Sequence, residues 1–136
     1  MKLLRLIVIA GVVLVASCAA ILPPPPVSEN SAVVALVDNA RTDVEAGRFP
    51  NAVAALERAL RIEPKNPRIW NQLARLRLKE GDYEQAEGLA ARSNSWAGAD
   101  NDLRAQNWQL ISEARAARGD DAGAKAALER AKQAER

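Results

Sequence analysis

The sequence predicts an all-α protein. It is a short solenoid of about three helical hairpins over residues 31–136, behind a signal peptide (1–17) and a proline-rich linker (18–30). Three observations carry this. Aromatic residues make up only 4% of the 136-residue chain, whereas Ala, Leu, Arg, Glu and Gln, which lose little freedom on entering a helix, dominate after residue 30. From Ser31 onward, apolar residues recur at helical spacing. The pattern breaks at Gly47, Gly81 and Gly119, each followed closely by a helix-start signal, and the first two breaks lie 34 residues apart.

The N-terminal region does not read as part of a fold. Met1-Lys2-Leu3-Leu4-Arg5 is basic, Leu6–Ala16 is apolar, and Ser17, Cys18, Ala19 and Ala20 are small, which is the layout of a cleaved secretory leader. The apolar run is shorter than the ~20 residues of a membrane span, although counting on to Leu22 leaves an uncleaved span open. Val15-Ala16-Ser17-Cys18 resembles the lipobox of bacterial lipoproteins. In that family the Cys thiol receives a diacylglycerol, the leader is cut before it, and the new amino group is acylated. The resemblance therefore implies that Cys18 is lipidated and begins the mature chain, holding it to a membrane without a span. An Asp after the Cys commonly retains such proteins at the inner membrane. Ala19 stands there instead, which implies the periplasmic face of the outer membrane.

Next comes Pro23-Pro24-Pro25-Pro26-Val27-Ser28, which cannot form a helical ladder and favours polyproline II. It reads as a stiff spacer reaching about 12 Å through its four prolines, or alternatively as a proline-rich ligand for a partner's groove.

The hairpins follow. In the middle one, Trp70-Asn71-Gln72-Leu73-Ala74 and Gly81-Asp82-Tyr83-Glu84-Gln85-Ala86 resemble the first-helix start and the turn of the tetratricopeptide (TPR) signature. Leu36, Gly47, Phe49, Ala52, Leu56, Ala59 and Pro64 align the first unit with that signature, and Trp108, Ile111, Gly119, Ala124, Leu128 and Ala131 align the third. Asp43, Arg77 and Arg115 depart from it, standing where the family usually has an aromatic. Small Ala52, Ala86 and Ala124 allow the helices of a hairpin to approach closely. Asp82 suits a helix cap, as does Asn66 followed by Pro67, and Pro64 marks the stop before them. One hairpin cannot bury its apolar face alone, so about three must stack. Trp70 and Trp108 are 38 residues apart, and the four extra residues, near Ser95 to Asp102, are expected to kink or loosen the third hairpin's stacking on the second.

Composition narrows function. The 19 basic and 17 acidic residues include Lys2 and Arg5 of the leader, so the mature part is balanced and lacks the cationic surplus of a nucleic-acid binder. With no His and one Cys, imidazole and thiolate metal sites, an internal disulfide, and Ser/His or Cys/His catalysis are all excluded. Glu57, Glu63, Glu80, Glu84, Glu87 and Glu113 read as scattered helix-surface charges rather than a paired acid and base. No catalytic residue, metal, cofactor or small-molecule substrate is expected.

The TPR resemblance implies a concave surface, lined by the first helix of each pair, that holds a protein or peptide partner. Arg68, Gln72, Arg75 and Lys79 recur at helical spacing on the middle first helix, with Asn71 and Arg41 nearby, as candidates for an acidic or C-terminal peptide. The bland alternative is a solvated face. Trp70 and Trp108 read as core, while the exposure of Trp96, at the irregular joint, is open. The order of acylated Cys, proline-rich spacer and short TPR unit resembles LpoP-type activators of bifunctional peptidoglycan synthases, which implies an envelope adaptor acting on such a synthase. A structural or assembly lipoprotein, for a pilus or an envelope complex, is the alternative.

Overall fold

The computed structural model describes residues 25–136. The leader, Cys18 and the first two prolines of the spacer lie outside the described residues. Among the described residues six helices follow one another: α1 (Ser31–Glu45), α2 (Phe49–Ile62), α3 (Pro67–Glu80), α4 (Tyr83–Trp96), α5 (Asn101–Ala117) and α6 (Asp121–Ala134). They pair as α1/α2, α3/α4 and α5/α6, and the pairs stack in chain order. This is the expected all-α solenoid of three hairpins.

Helix ends are fixed by local chemistry. The side chains of Asn30, Asn66, Asp82, Asp100 and Asp120 accept N–H groups of the first turns of α1, α3, α4, α5 and α6, each such cap contributing about 1 kcal/mol. At the end of α3, Gly81 takes φ 81°. Its N–H bonds the Leu78 carbonyl (3.1 Å), while the Asp82 N–H reaches back to Arg77 (2.9 Å). That closure needs a left-handed residue, which a side chain would strain.

Burial follows the repeat. Ala52 and Ala86 are fully buried and Ala124 nearly so, placing methyl groups where paired helices cross. One apolar cluster joins α1, α2 and α3 through Val33, Leu56, Ile69 and Leu73. A second joins α3 to α6 through Ala74, Ala90, Ile111 and Ala127. Trp70 and Trp108 are half-buried against the first and second clusters respectively.

The loosening expected at the second joint is overturned. The extra residues at the second joint do not loosen it, since α4 packs more extensively on α5 than α2 does on α3. Gly98 at φ +55° turns the chain there, and Ala97 is buried beneath the loop. Three buried polar residues, Asn71, Ser93 and Asn107, then bond across the joint. The folded unit also reaches back beyond α1. Val27 packs on the first cluster and its carbonyl accepts from Asn66 Nδ2 (2.9 Å), while Ser28 Oγ donates to Glu63 (2.5 Å).

Candidate functional site

Stacking puts α1, α3 and α5 along one concave face, enclosing a groove of about 720 Å³. Its floor is apolar, with Val37 and Ala40 from α1, Leu56 from α2, Leu76 from α3 and Leu110 from α5. Charged and amide side chains form the walls. Arg41, Asp38 and Glu45 come from α1, Gln72, Arg75 and Lys79 from α3, and Gln106, Gln109 and Glu113 from α5.

Four of the six residues expected to bind peptide, Arg41, Gln72, Arg75 and Lys79, therefore line one groove. The other two do not. Arg68 is drawn to the second joint, where its Nη2 bonds Asp100 at 2.6 Å. Asn71 is only 4% exposed, so it cannot meet a ligand directly. Its Nδ2 donates to Asn107 Oδ1 (2.7 Å) and its Oδ1 accepts from Arg75 Nε (2.9 Å). With Arg75 Nη2 also donating to Gln106 Oε1 (2.9 Å), the guanidinium is held across the α3–α5 boundary with its donors partly used. Asn71 is thus a support beneath Arg75.

The sequence does not single out Asp38 or Glu45, and Glu113, which reads there as one of the scattered helix-surface charges, joins them in the groove. Arg41, Arg75 and Lys79 face Asp38, Glu45 and Glu113, so the walls are balanced rather than cationic. Arg41 pairs with Asp38 at 3.0 Å, both exposed, which is worth at most about 1 kcal/mol. A signal for Glu113 existed: counted from Leu36, Trp70 and Trp108, the residues Arg41, Arg75 and Glu113 hold the same position in their repeats. The arrangement suits an amphipathic segment carrying both charges, with its apolar side on the floor.

At the three positions where the family usually has an aromatic, the chain substitutes ion pairs outside the groove. Asp43 accepts from Arg48 (2.7 Å), Arg77 pairs with Glu80 (2.9 Å), and Arg115 donates twice to Glu87 (2.6 and 2.8 Å). The bond to Glu87 holds the Arg115 proton more tightly than usual, chiefly by hydrogen bonding, which outweighs the opposing desolvation. Trp96 is exposed (41%), with the Lys65 ammonium 5.1 Å from the ring centroid. Among the described residues no cluster of three or more His, Cys, Asp or Glu is placed to hold a metal, and no helix is long and apolar enough to cross a membrane.

A tetratricopeptide-repeat family model matches residues 43–107, spanning the first turn to the middle of α5. Comparison with curated protein sequences finds no significant match. Among solved structures, the globular C-terminal domain of LpoP from P. aeruginosa superposes with a TM-score of 0.75 at 40% sequence identity, covering 77% of this chain and 99% of that one. Its solenoid, signature and near-complete coverage of that domain agree, and the chain belongs to the tetratricopeptide-repeat proteins of the LpoP C-terminal-domain type.

Proposed function

We propose that the protein is a lipid-anchored periplasmic adaptor on the outer membrane, acylated at Cys18, which binds a protein partner in the α1/α3/α5 groove. Regulation of a bifunctional peptidoglycan synthase is its specific form. The observation that carries the reading is the groove itself, an apolar floor between charged walls on a solenoid 40% identical to the LpoP domain. Its residues fit recognition better than chemistry: an apolar patch for anchors, rim donors and acceptors for register, and no pair of groups set to exchange a proton. Arg41, Gln72, Arg75 and Lys79 bind the partner directly, with Asn71 orienting Arg75 and Arg68 stabilising the joint.

In-cell crosslinking with mass spectrometry tests this, comparing wild type, Cys18→Ser and the double variant Arg75→Glu/Lys79→Glu. A single inner-membrane synthase is expected with wild type and lost without the anchor. The double reversal is expected to lower its recovery at least about tenfold, equivalent to about 1.4 kcal/mol. Unchanged recovery by the double variant sinks the groove. A specific partner other than a synthase removes the synthase form and keeps the adaptor.

A further inference from the structure

Two of the three large apolar side chains exposed among the described residues stand at one end of the solenoid. Ile62 (46%) closes α2 and Trp96 (41%) closes α4. Contacts show that this is also the end where the linker enters. Val27 and Ser28 bond the α2–α3 loop at Asn66 and Glu63, Lys65 of that loop lies over Trp96, and Arg68 bonds Asp100 of the α4–α5 loop. Single exposed apolar residues are ordinary on protein surfaces, so exposure alone decides nothing. The coincidence with the tether is what calls for an explanation.

Arg61, Lys65 and Arg92 are exposed at this end. Arg68 is paired with Asp100, and Glu63, bonded only by the neutral Ser28 and Asn66, balances the three together with Glu29 and Asp102. The end is therefore near neutral, and what it offers is an exposed ring with a cation held against it. Tryptophan beside Lys and Arg is the composition that favours a membrane–water interface, the ring at headgroup depth and the cations on phosphates.

We infer that the linker end is a lipid-docking surface, where Trp96 enters the headgroup region of the anchoring membrane while Arg61, Lys65 and Arg92 meet anionic headgroups. This rests on the reading that Cys18 carries the anchor. Only six residues lie between Cys18 and Pro25, seven steps with a reach of at most about 25 Å even if fully extended. The 14-residue α4 is itself about 21 Å long. So short a tether confines the linker end near the headgroups at an effective concentration on the order of millimolar, and a surface too weak to capture free vesicles still docks. Docking at this end holds the solenoid to its own membrane, so that an inner-membrane partner supplies the reach.

Full-length protein purified from membranes tests this. Intact-mass measurement first establishes acylation at Cys18. The protein is then reconstituted into vesicles of phosphatidylethanolamine with a quarter phosphatidylglycerol, brominated near the top of the acyl chains. With Trp96 one of three tryptophans and the other two half-buried on the core, wild type should lose about a third of its fluorescence. Trp96→Ala, its helicity checked by circular dichroism, should lose almost none. Acylated wild type that is not quenched, or quenching that persists in Trp96→Ala, overturns the docking and leaves the anchor standing. A chain without acyl mass removes the anchor reading, and the docking with it.

Discussion

Asn107→Ala should separate the third hairpin from the second. Asn107 is fully buried. Its Oδ1 accepts from Asn71 Nδ2 (2.7 Å), and its Nδ2 donates to Ser93 Oγ (2.7 Å) and Asn94 Oδ1 (3.0 Å). Ser93 keeps its bond to the Pro67 carbonyl, so alanine orphans chiefly the Asn71 amide and the Asn94 oxygen. Each buried orphan costs about 1–3 kcal/mol. Asn94 is half-buried and lies near the low end, giving a total of about 3 kcal/mol. That is a large part of the roughly 5–15 kcal/mol by which domains are stable, and about 10–13 °C in Tm for a chain of this size.

Urea unfolding followed by far-ultraviolet circular dichroism measures it, with Asn107→Leu as the informative partner. Leucine refills the volume but satisfies neither orphan, so it should remain well below wild type. A loss under ~0.5 kcal/mol in Asn107→Ala, or full recovery in Asn107→Leu, would refute the account and assign the joint to apolar packing.

Glycine substitutions should have opposite signs at two positions. Gly81→Ala, forced to keep φ 81°, should cost about 1–2 kcal/mol, whereas Gly88→Ala, in mid-α4 with open space around the added methyl, should gain about 0.5–1 kcal/mol; paired urea melts decide both. Glu87 accepts from Arg115 and Arg118 across α4 and α5; Glu87→Ala should cost about 1 kcal/mol, less in molar salt, as thermal melts at two ionic strengths would read. Stability should be flat between about pH 6 and 9 because the chain has no histidine. Lys132 holds the exposed Glu129 below its ordinary pKa, mainly through a hydrogen bond. Its small stabilisation is thus present above the unfolded carboxylate pKa and fades as pH falls through the folded one. Arg115, raised by Glu87, contributes throughout and is lost only in strong alkali. A Tm step near pH 6.5 would contradict this.

Most of the fold was legible because TPR hairpins are specified locally. Gly81, Asp82, Asn66 and Pro67 act through bonds within a few residues, and the small residues at helix crossings recur with the repeat. The second joint was misread for a related reason. Four inserted residues look like slack when only period is considered, but what they do depends on Gly98 and on bonds that span 13 to 36 residues, from Asn107 to Asn94, Ser93 and Asn71. Asn71, a polar residue at helical spacing from Arg68 and Arg75, gave no sign that it points inward with Ala74. The groove was half visible for the same reason. The cations of α3 share one helix face, whereas the opposing carboxylates sit on α1 and α5 and join them only through stacking. The docking of Val27 beyond the linker boundary likewise depends on Asn66, 39 residues away.

The two joints differ in a way that bears on the groove. The first is apolar and less extensive, and the clasp of Val27 and Ser28 on Asn66 and Glu63 reinforces it. The second is extensive and held by directional bonds among buried amides. In a solenoid each hairpin contacts only its neighbours, so both joints must hold for α1, α3 and α5 to share one face. A segment lying along all three helices would bridge both joints and stabilise the stack by mass action. Arg75 is where the two problems meet. Gln106 holds its tip from across the second joint, and Asn71 holds its base while also bonding Asn107. A change in that buried pair therefore acts on stability and on the aim of the central groove cation together, although neither asparagine is exposed to a ligand.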